Sequence, residues 1–229
     1  MATTVSIGIF LLIGVALLVS SSRVKQQSGQ KDSYGRKPFP IKLALRVGAV
    51  VPVLIAVLLL GNSVFYAQDP GKAVLIRSFT GEVVGVTEDA GIHFKTPWQS
   101  VNEFDIRNQS IEMHTNAGGE GKDGSALSVP LSGSATATVS ATVIYSINAS
   151  AIEDIYNNFG NQAGLMDNAL KPLVRSVVRN EGTKFTPQQI KENRAAYATD
   201  IQEKLQADWE RFGVTVDQVN IGDVTLDEK

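Results

Sequence analysis

Two long uncharged stretches near the start of this chain constrain its fold more than any other feature. The first runs from Met1 to Ser22 and contains VSIGIFLLIGVALLV at Val5–Val19. As a helix rising 1.5 Å per residue it covers about 33 Å, enough to cross a hydrocarbon core of roughly 30 Å. The second runs from Val47 to Gln68 and contains VVPVLIAVLLL, with Pro52 near its start. Proline is tolerated inside a membrane helix when neighbours satisfy the backbone groups it frees. Phe65 and Tyr66 close this stretch, and Tyr66 suits the water–lipid boundary. A cleaved secretory leader is the competing reading of the first stretch, but it needs a basic start that Ala2, Thr3 and Thr4 do not supply. The expectation is a transmembrane helix over residues 1–22, a loop over 23–46 and a second transmembrane helix over 47–68.

Charge supports that division. The loop at 23–46 holds Arg23, Lys25, Lys31, Arg36, Lys37, Lys42 and Arg46 against Asp32 alone. Short basic loops stay cytoplasmic, so the loop is expected there and the chain after Gln68 outside the cytoplasm. From Val47 onward, 14 basic residues face 22 acidic ones. So acidic a domain has no electrostatic footprint for nucleic acid. The chain has no cysteine, which excludes thiol catalysis, disulfides and cysteine metal sites.

Beyond the spans, short β-like runs are punctuated by glycine. AVLIRSF (Ala73–Phe79) and GEVVGV (Gly81–Val86) meet at a turn signal, and Glu88–Gly91 makes another turn before IHFKTPW. Ser100–Met113 reads as one strand with Phe104 and Ile106 on one face. A hydrophilic loop at Asn116–Ser125 precedes a long Val/Thr/Ala-rich stretch from Leu127 to Ile147. The period then changes. Ile152, Ile155, Tyr156 and Phe159 fit one face of a short helix. Leu165, Ala169, Leu173, Val177 and Val178 fit a second, weakened locally by Pro172. A third, long helix starts with a capping box of Thr186 and Gln189, with Pro187 at its first position. Its stripe is Ile190, Tyr197, Ile201, Leu205, Trp209 and Phe212, Gly213 ends it, and Val214–Val224 returns to strand. Strands, then helices, then a returning strand indicate an α+β fold.

Catalytic chemistry finds little support. His93 and His114 stand 21 residues apart with no HExxH pattern, so a zinc site is not expected. No GxSxG, Walker lysine or GxGxxG-before-helix motif occurs. Glu103 and Asp105 share one side of a strand beside Arg107 and read as a solvated face, not an acid/base pair. NQS at Asn108 and NAS at Asn148 fit a glycosylation triplet that is common by chance. No catalytic residue, cofactor or metal is expected. Phe94, Pro97 and Trp98, some 25 residues after the second span, join Tyr66 as candidate membrane-interface residues. Lys191, Arg194 and Lys204, interleaved with Glu192 and Glu203, are candidate self-association residues, because head-to-tail copies could pair such charges repeatedly.

An ordered set of segments resembles the prohibitin–stomatin–flotillin (SPFH, band 7) family over about residues 66–229. A membrane segment leads into AVLIRSFTGEVVG. DAGIHFKTPW (Asp89–Trp98) follows, then a strand ending VIYSI, VRSVVRNEGTKF (Val174–Phe185), the Asn193–Arg194 pair and GVTVDQVNI (Gly213–Ile221). The resemblance implies a β-rich first subdomain lying against the membrane and an α/β second subdomain. It also implies a non-enzymatic scaffold that oligomerises at the bilayer and organises lipids and membrane proteins. The partner it implies is a membrane-anchored AAA-type protease, with a channel as another candidate. Two departures stand out: two clear spans where many members have one, and no long coiled coil before Lys229. The second favours an alternative, a small-oligomer adaptor binding one membrane protein without forming a cage.

Overall fold

The computed structural model describes residues 2–23, 41–116 and 119–226. Most of the expected basic loop, residues 24–40, lies outside them. In chain order the elements are helices α1 (Ala2–Arg23) and α2 (Ile41–Val64), then strands β1 (Phe65–Gln68), β2 (Lys72–Arg77), β3 (Val83–Thr87), β4 (Gly91–Phe94), β5 (Ser100–Asp105), β6 (Gln109–Met113), β7 (Thr115–Asn116), β8 (Gly119–Glu120), β9 (Leu127–Pro130) and β10 (Thr136–Ile147). Helices α3 (Ile152–Phe159), α4 (Gln162–Leu165), α5 (Lys171–Gly182), α6 (Pro187–Glu192) and α7 (Arg194–Trp209) follow, and strand β11 (Val214–Leu226) closes the chain. Two units result. One is Met1–Ala67 with Ser78–Gly81 and Gly91–Ser100, and the other is Gln68–Arg77, Glu82–Ala90 and Val101–Lys229.

In the first unit, α1 packs on α2 through small residues. Gly14, Ala49, Pro52 and Ala56 are buried. A Cβ on Gly14 would lie 2.7 Å from Val53 Cγ2, so only glycine permits this approach. Ile9, Leu12, Val47, Leu54 and Leu58 point outward instead, with Leu12 71% and Leu58 72% exposed. Counting only the described residues, no helix is long and apolar enough to cross a membrane. The helix backbones themselves run 22 and 24 residues. The expected second span at 47–68 is corrected at both ends. The helix begins at Ile41, six residues before the expected start. It stops at Val64 because Phe65–Gln68 leaves to pair with β4.

In the second unit, β10 is the spine. Its inward residues Ala137, Val139, Ala141, Val143, Tyr145 and Ile147 are all buried, alternating with half-buried ones that are polar except for Ile144. β11 runs antiparallel to it from Ala137↔Leu226 to Ile147↔Val214, with bulges at Val139/Ala141 and Ile144/Tyr145. On the other side of β10, β6 pairs along Ala141–Tyr145 and β9 along Thr136–Val139. A separate sheet has the order β3–β2–β5. The stripe Tyr197, Ile201, Leu205 and Trp209 of α7 is wholly buried, and Trp209 meets Tyr145 edge-on at 5.8 Å. Such side chains supply most of the hydrophobic driving force, at about 1.5–3 kcal/mol each when fully buried.

Four elements expected to be continuous are interrupted, each for a local reason. Ser100–Met113 breaks into β5 and β6 because the Asp105 carboxylate accepts from the Arg107 backbone N–H at 3.1 Å, forming a turn. Leu127–Ile147 breaks at a tight turn through Gly133 and Ser134, both at positive φ, closed by Leu131 N–H donating to Ala135 O. The second helix runs through α4 and α5 with a π turn at Met166–Leu170 between them. That wide turn directly precedes Pro172, which cannot donate to its own i−4 carbonyl and crowds it. The third helix breaks at Asn193 (φ −127°, ψ 51°) into α6 and α7. Its start is as the sequence indicates: Thr186 Oγ1 accepts from Gln189 N–H at 3.3 Å, and Gln189 Oε1 accepts from Thr186 N–H at 3.0 Å.

Candidate membrane-facing and assembly surfaces

The end of α2 is fastened to β4 by one lysine. Lys95 N–H donates to Val64 O at 2.8 Å, and its Nζ donates to Ser63 O at 2.8 Å and Gln99 O at 3.1 Å. A cation on the final carbonyls of a helix satisfies orphaned acceptors and opposes the negative end of the dipole. The ribbon of β1 and β4 that starts there has two unlike faces, as strand alternation requires. On one, Phe65 and Phe94 rings meet at 4.7 Å, and Ile92 stands beside them; Phe65 is 48%, Ile92 73% and Phe94 71% exposed. On the other, Tyr66 stacks on His93 at 5.4 Å, both half-buried.

Trp98 sits in a turn from Thr96 to Gln99. Gln99 N–H donates to Thr96 O at 3.0 Å, and Gln99 Oε1 accepts from Thr96 N–H at 2.8 Å. Pro97 holds the first central position of that turn, where its fixed φ fits, and Trp98 is 57% exposed. Phe94 and Trp98 are therefore not core residues. Tyr66, expected at the same interface, lies on the opposite face of the ribbon from Phe94, and Pro97 is half-buried. Phe65, Phe79 and Ile92 belong with the exposed set and were not singled out from sequence. The alternation Ile92–His93–Phe94 was the available signal for Ile92.

The five candidate self-association residues do not form one free face. Arg194 donates to Gly222 O at 2.9 Å within its own chain. Lys204 pairs with Asp208 at 3.0 Å, and Glu192 accepts from Gln188 at 2.8 Å. Among the described residues Lys191 and Glu203 alone of the five carry no such partner. Some charges elsewhere are also satisfied locally. Lys72 bridges Glu103 and Asp69, whose carboxylates raise its pKa, while the Arg107 guanidinium holds Asp105 below the usual carboxylate range. Glu103 and Asp105 thus have cationic partners, Lys72 and Arg107.

His114 borders a shallow recess of about 260 Å³ lined by Thr115, Ser140, Thr142, Asn220 and Asp223 at the upper bulge of β11. Its Nε2 is 3.9 Å from Glu112, too far for a strong ion pair. No group of three metal-ligating side chains gathers among the described residues. Arg77 donates to the Tyr156 hydroxyl, and its guanidinium lies 5.6 Å from that ring, tying β2 to α3.

A family model described as SPFH domain / Band 7 family matches residues 69–229. No curated protein matches the chain.

Proposed function

We propose that this chain, which belongs to the SPFH domain / Band 7 family, is a membrane-anchored scaffold that self-associates at the bilayer and organises lipids and membrane proteins. Its family's members are typically membrane-associated and generally non-enzymatic, and we assign it no catalytic role. The observation that carries the reading is the inverted helix pair. A pair made for water buries its large apolar side chains and exposes polar ones. Here Gly14, Ala49, Pro52 and Ala56 are inside, and Leu12, Leu54 and Leu58 face out. Lipid is the surrounding that suits this arrangement, because membrane helices associate through small residues that let backbones approach. The α1 and α2 backbones, at about 33 and 36 Å, match a bilayer core.

Phe65, directly after α2, and Ile92, Phe94 and Trp98, on the segment that Lys95 ties to the end of α2, are placed by this reading in the headgroup region, where Trp is favoured. The basic residues at 23–46 put that loop in the cytoplasm and residues 69–229 outside it. Membrane proteins held beside such an array are its proposed partners, the family resemblance pointing to an AAA-type protease.

The chain is naturally free of cysteine, so single introduced thiols report sidedness cleanly. In intact cells Ser125→Cys should react with an impermeant thiol reagent and Ser33→Cys should not, and the chain should stay in the membrane through alkaline washing. The opposite labelling pattern, or release by the wash, would overturn the anchor and its orientation.

A further inference from the structure

Among the exposed charges of the second unit that lack a partner, one group is mainly basic and another acidic, and they lie on different flanks, with Glu120 an isolated acid beside Lys122. Among the described residues Lys122, Arg175, Arg179 and Lys191 have no hydrogen-bonding, ionic or ring partner, and all four are exposed. Three of them gather on the β6 side. The loop carrying Lys122 lies along the outer edge of β6, because Asp123 accepts from Glu112 N–H at 3.0 Å. The same Asp123 pairs with Lys171 of α5 at 3.1 Å, fixing α5 beside that loop. Arg175 is one turn further along α5, and a Cβ on Gly124 would come 2.9 Å from its Nη2. Arg179 is the next residue on that line, since i and i+4 share a helix face.

On the β11 side, α7 is fixed over the strand: Gln202 Nε2 donates to Asp217 O at 3.3 Å, and Gln206 Oε1 accepts from Val216 N–H at 2.8 Å. Glu203 lies opposite the buried line of Ile201 and Leu205, and Glu210 opens the 3-10 turn Glu210–Phe212 that follows α7. With Asp217 they make an exposed acidic flank without a partner. The strand order β11–β10–β6 puts these two flanks at opposite edges of one sheet.

We infer that the acidic α7/β11 flank of one copy docks on the basic α5 flank of the next, as the head-to-tail contact of the array. This rests on the self-association proposed above and assigns its surface. The occupant is a second copy because each flank complements the other's sign within one otherwise acidic domain. A contact between two different patches propagates from copy to copy and closes into a ring when its rotation permits. Individually such pairs are weak, so shared anchoring in one membrane must raise their effective concentration. Lys191, Arg194 and Lys204 are not part of this surface.

The test uses the full chain in native membranes with short neighbour cross-linkers. Arg175→Glu with Arg179→Glu should cut cross-linking by about tenfold, and so should Glu203→Arg with Glu210→Arg, since each turns attraction into repulsion. The chain carrying all four changes should recover, because its flanks are complementary again with signs exchanged. Far-UV circular dichroism checks that each variant is folded. Unchanged cross-linking in the two-residue variants, or no recovery in the four-residue one, overturns the assigned contact while leaving the scaffold intact. A wild-type chain with no neighbour cross-links removes the scaffold reading and this contact with it.

Discussion

Placing Phe94 and Trp98 against lipid has a consequence that two tryptophans make measurable. Trp98 is 57% exposed and Phe94 71%, whereas Trp209 is completely buried in the core of the second unit. Trp98 and Trp209 are the only tryptophans in the sequence. In vesicles containing lipids brominated near the headgroup, Trp98 should be quenched and Trp209 should not, so Trp98→Phe should abolish the quenching. The energetic side follows from area. At 150–250 Å² per aromatic side chain, the exposed parts of the two residues come to about 250 Å². Complete withdrawal from water would contribute about 6 kcal/mol and half withdrawal about 3 kcal/mol. A fragment beginning at Phe65 keeps β1 to pair with β4. Changing Phe94 and Trp98 to Ser in it should weaken its partition onto liposomes by about 100-fold. Absence of quenching, or partition indifferent to the two changes, would refute the membrane placement.

Three further outcomes concern the fold. Gly182→Ala gains about 1 kcal/mol of helix propensity, but its new Cβ would fall 2.1 Å from Val129 Cγ1 and 3.2 Å from Pro130 O. Overpacking of that kind costs about 1–3 kcal/mol, so denaturant unfolding should show no gain and a net loss of up to roughly 2 kcal/mol. Burial raises the pKa of Tyr145 and Tyr197, and the Tyr197 hydroxyl donates to Val178 O. The unfolded chain ionises these groups at about pH 10 while the native one keeps them neutral. Stability should therefore fall as pH rises beyond about 10, and Tyr→Phe at either site should flatten that limb. Asp105 has the opposite sign. Its carboxyl is held down by Arg107, so its contribution is present above the ordinary carboxylate pKa of about 3.9 and disappears as pH falls through the lower native value. Asp105→Asn should remove that part of the acid limb in a pH series of thermal unfolding.

Periodicity made the broad fold legible. The stripe of α7 and the Thr186 cap could be read directly, because helix spacing and capping are properties of neighbouring residues. The breaks could not. Asn193 and the π turn before Pro172 depend on how the helices meet the sheet, and the Asp105 turn depends on a side chain folding back onto the backbone. Exposure of Phe94 and Trp98 was equally hidden, since an aromatic pair reads the same in a core and at a boundary. The expected span ran four residues into β1, where strand alternation puts Tyr66 and Phe94 on opposite faces of the ribbon. For assembly, the alternating charges of α6 and α7 suggested one mixed face. Intrachain contacts such as Lys204–Asp208 and Arg194–Gly222 occupy part of it, leaving Lys191 and Glu203 without a partner among the described residues.

The central claim, a membrane-anchored chain that works as an array, is tested most directly by mass. Native mass spectrometry or light scattering of the full chain after gentle detergent extraction should give a particle of many copies of the 24.6 kDa subunit. The fragment beginning at Phe65, without its anchor, should be mostly monomeric at the same concentration. A full chain that is monomeric after gentle extraction, and forms no neighbour cross-links in membranes, would contradict the scaffold and leave a single-copy adaptor in its place.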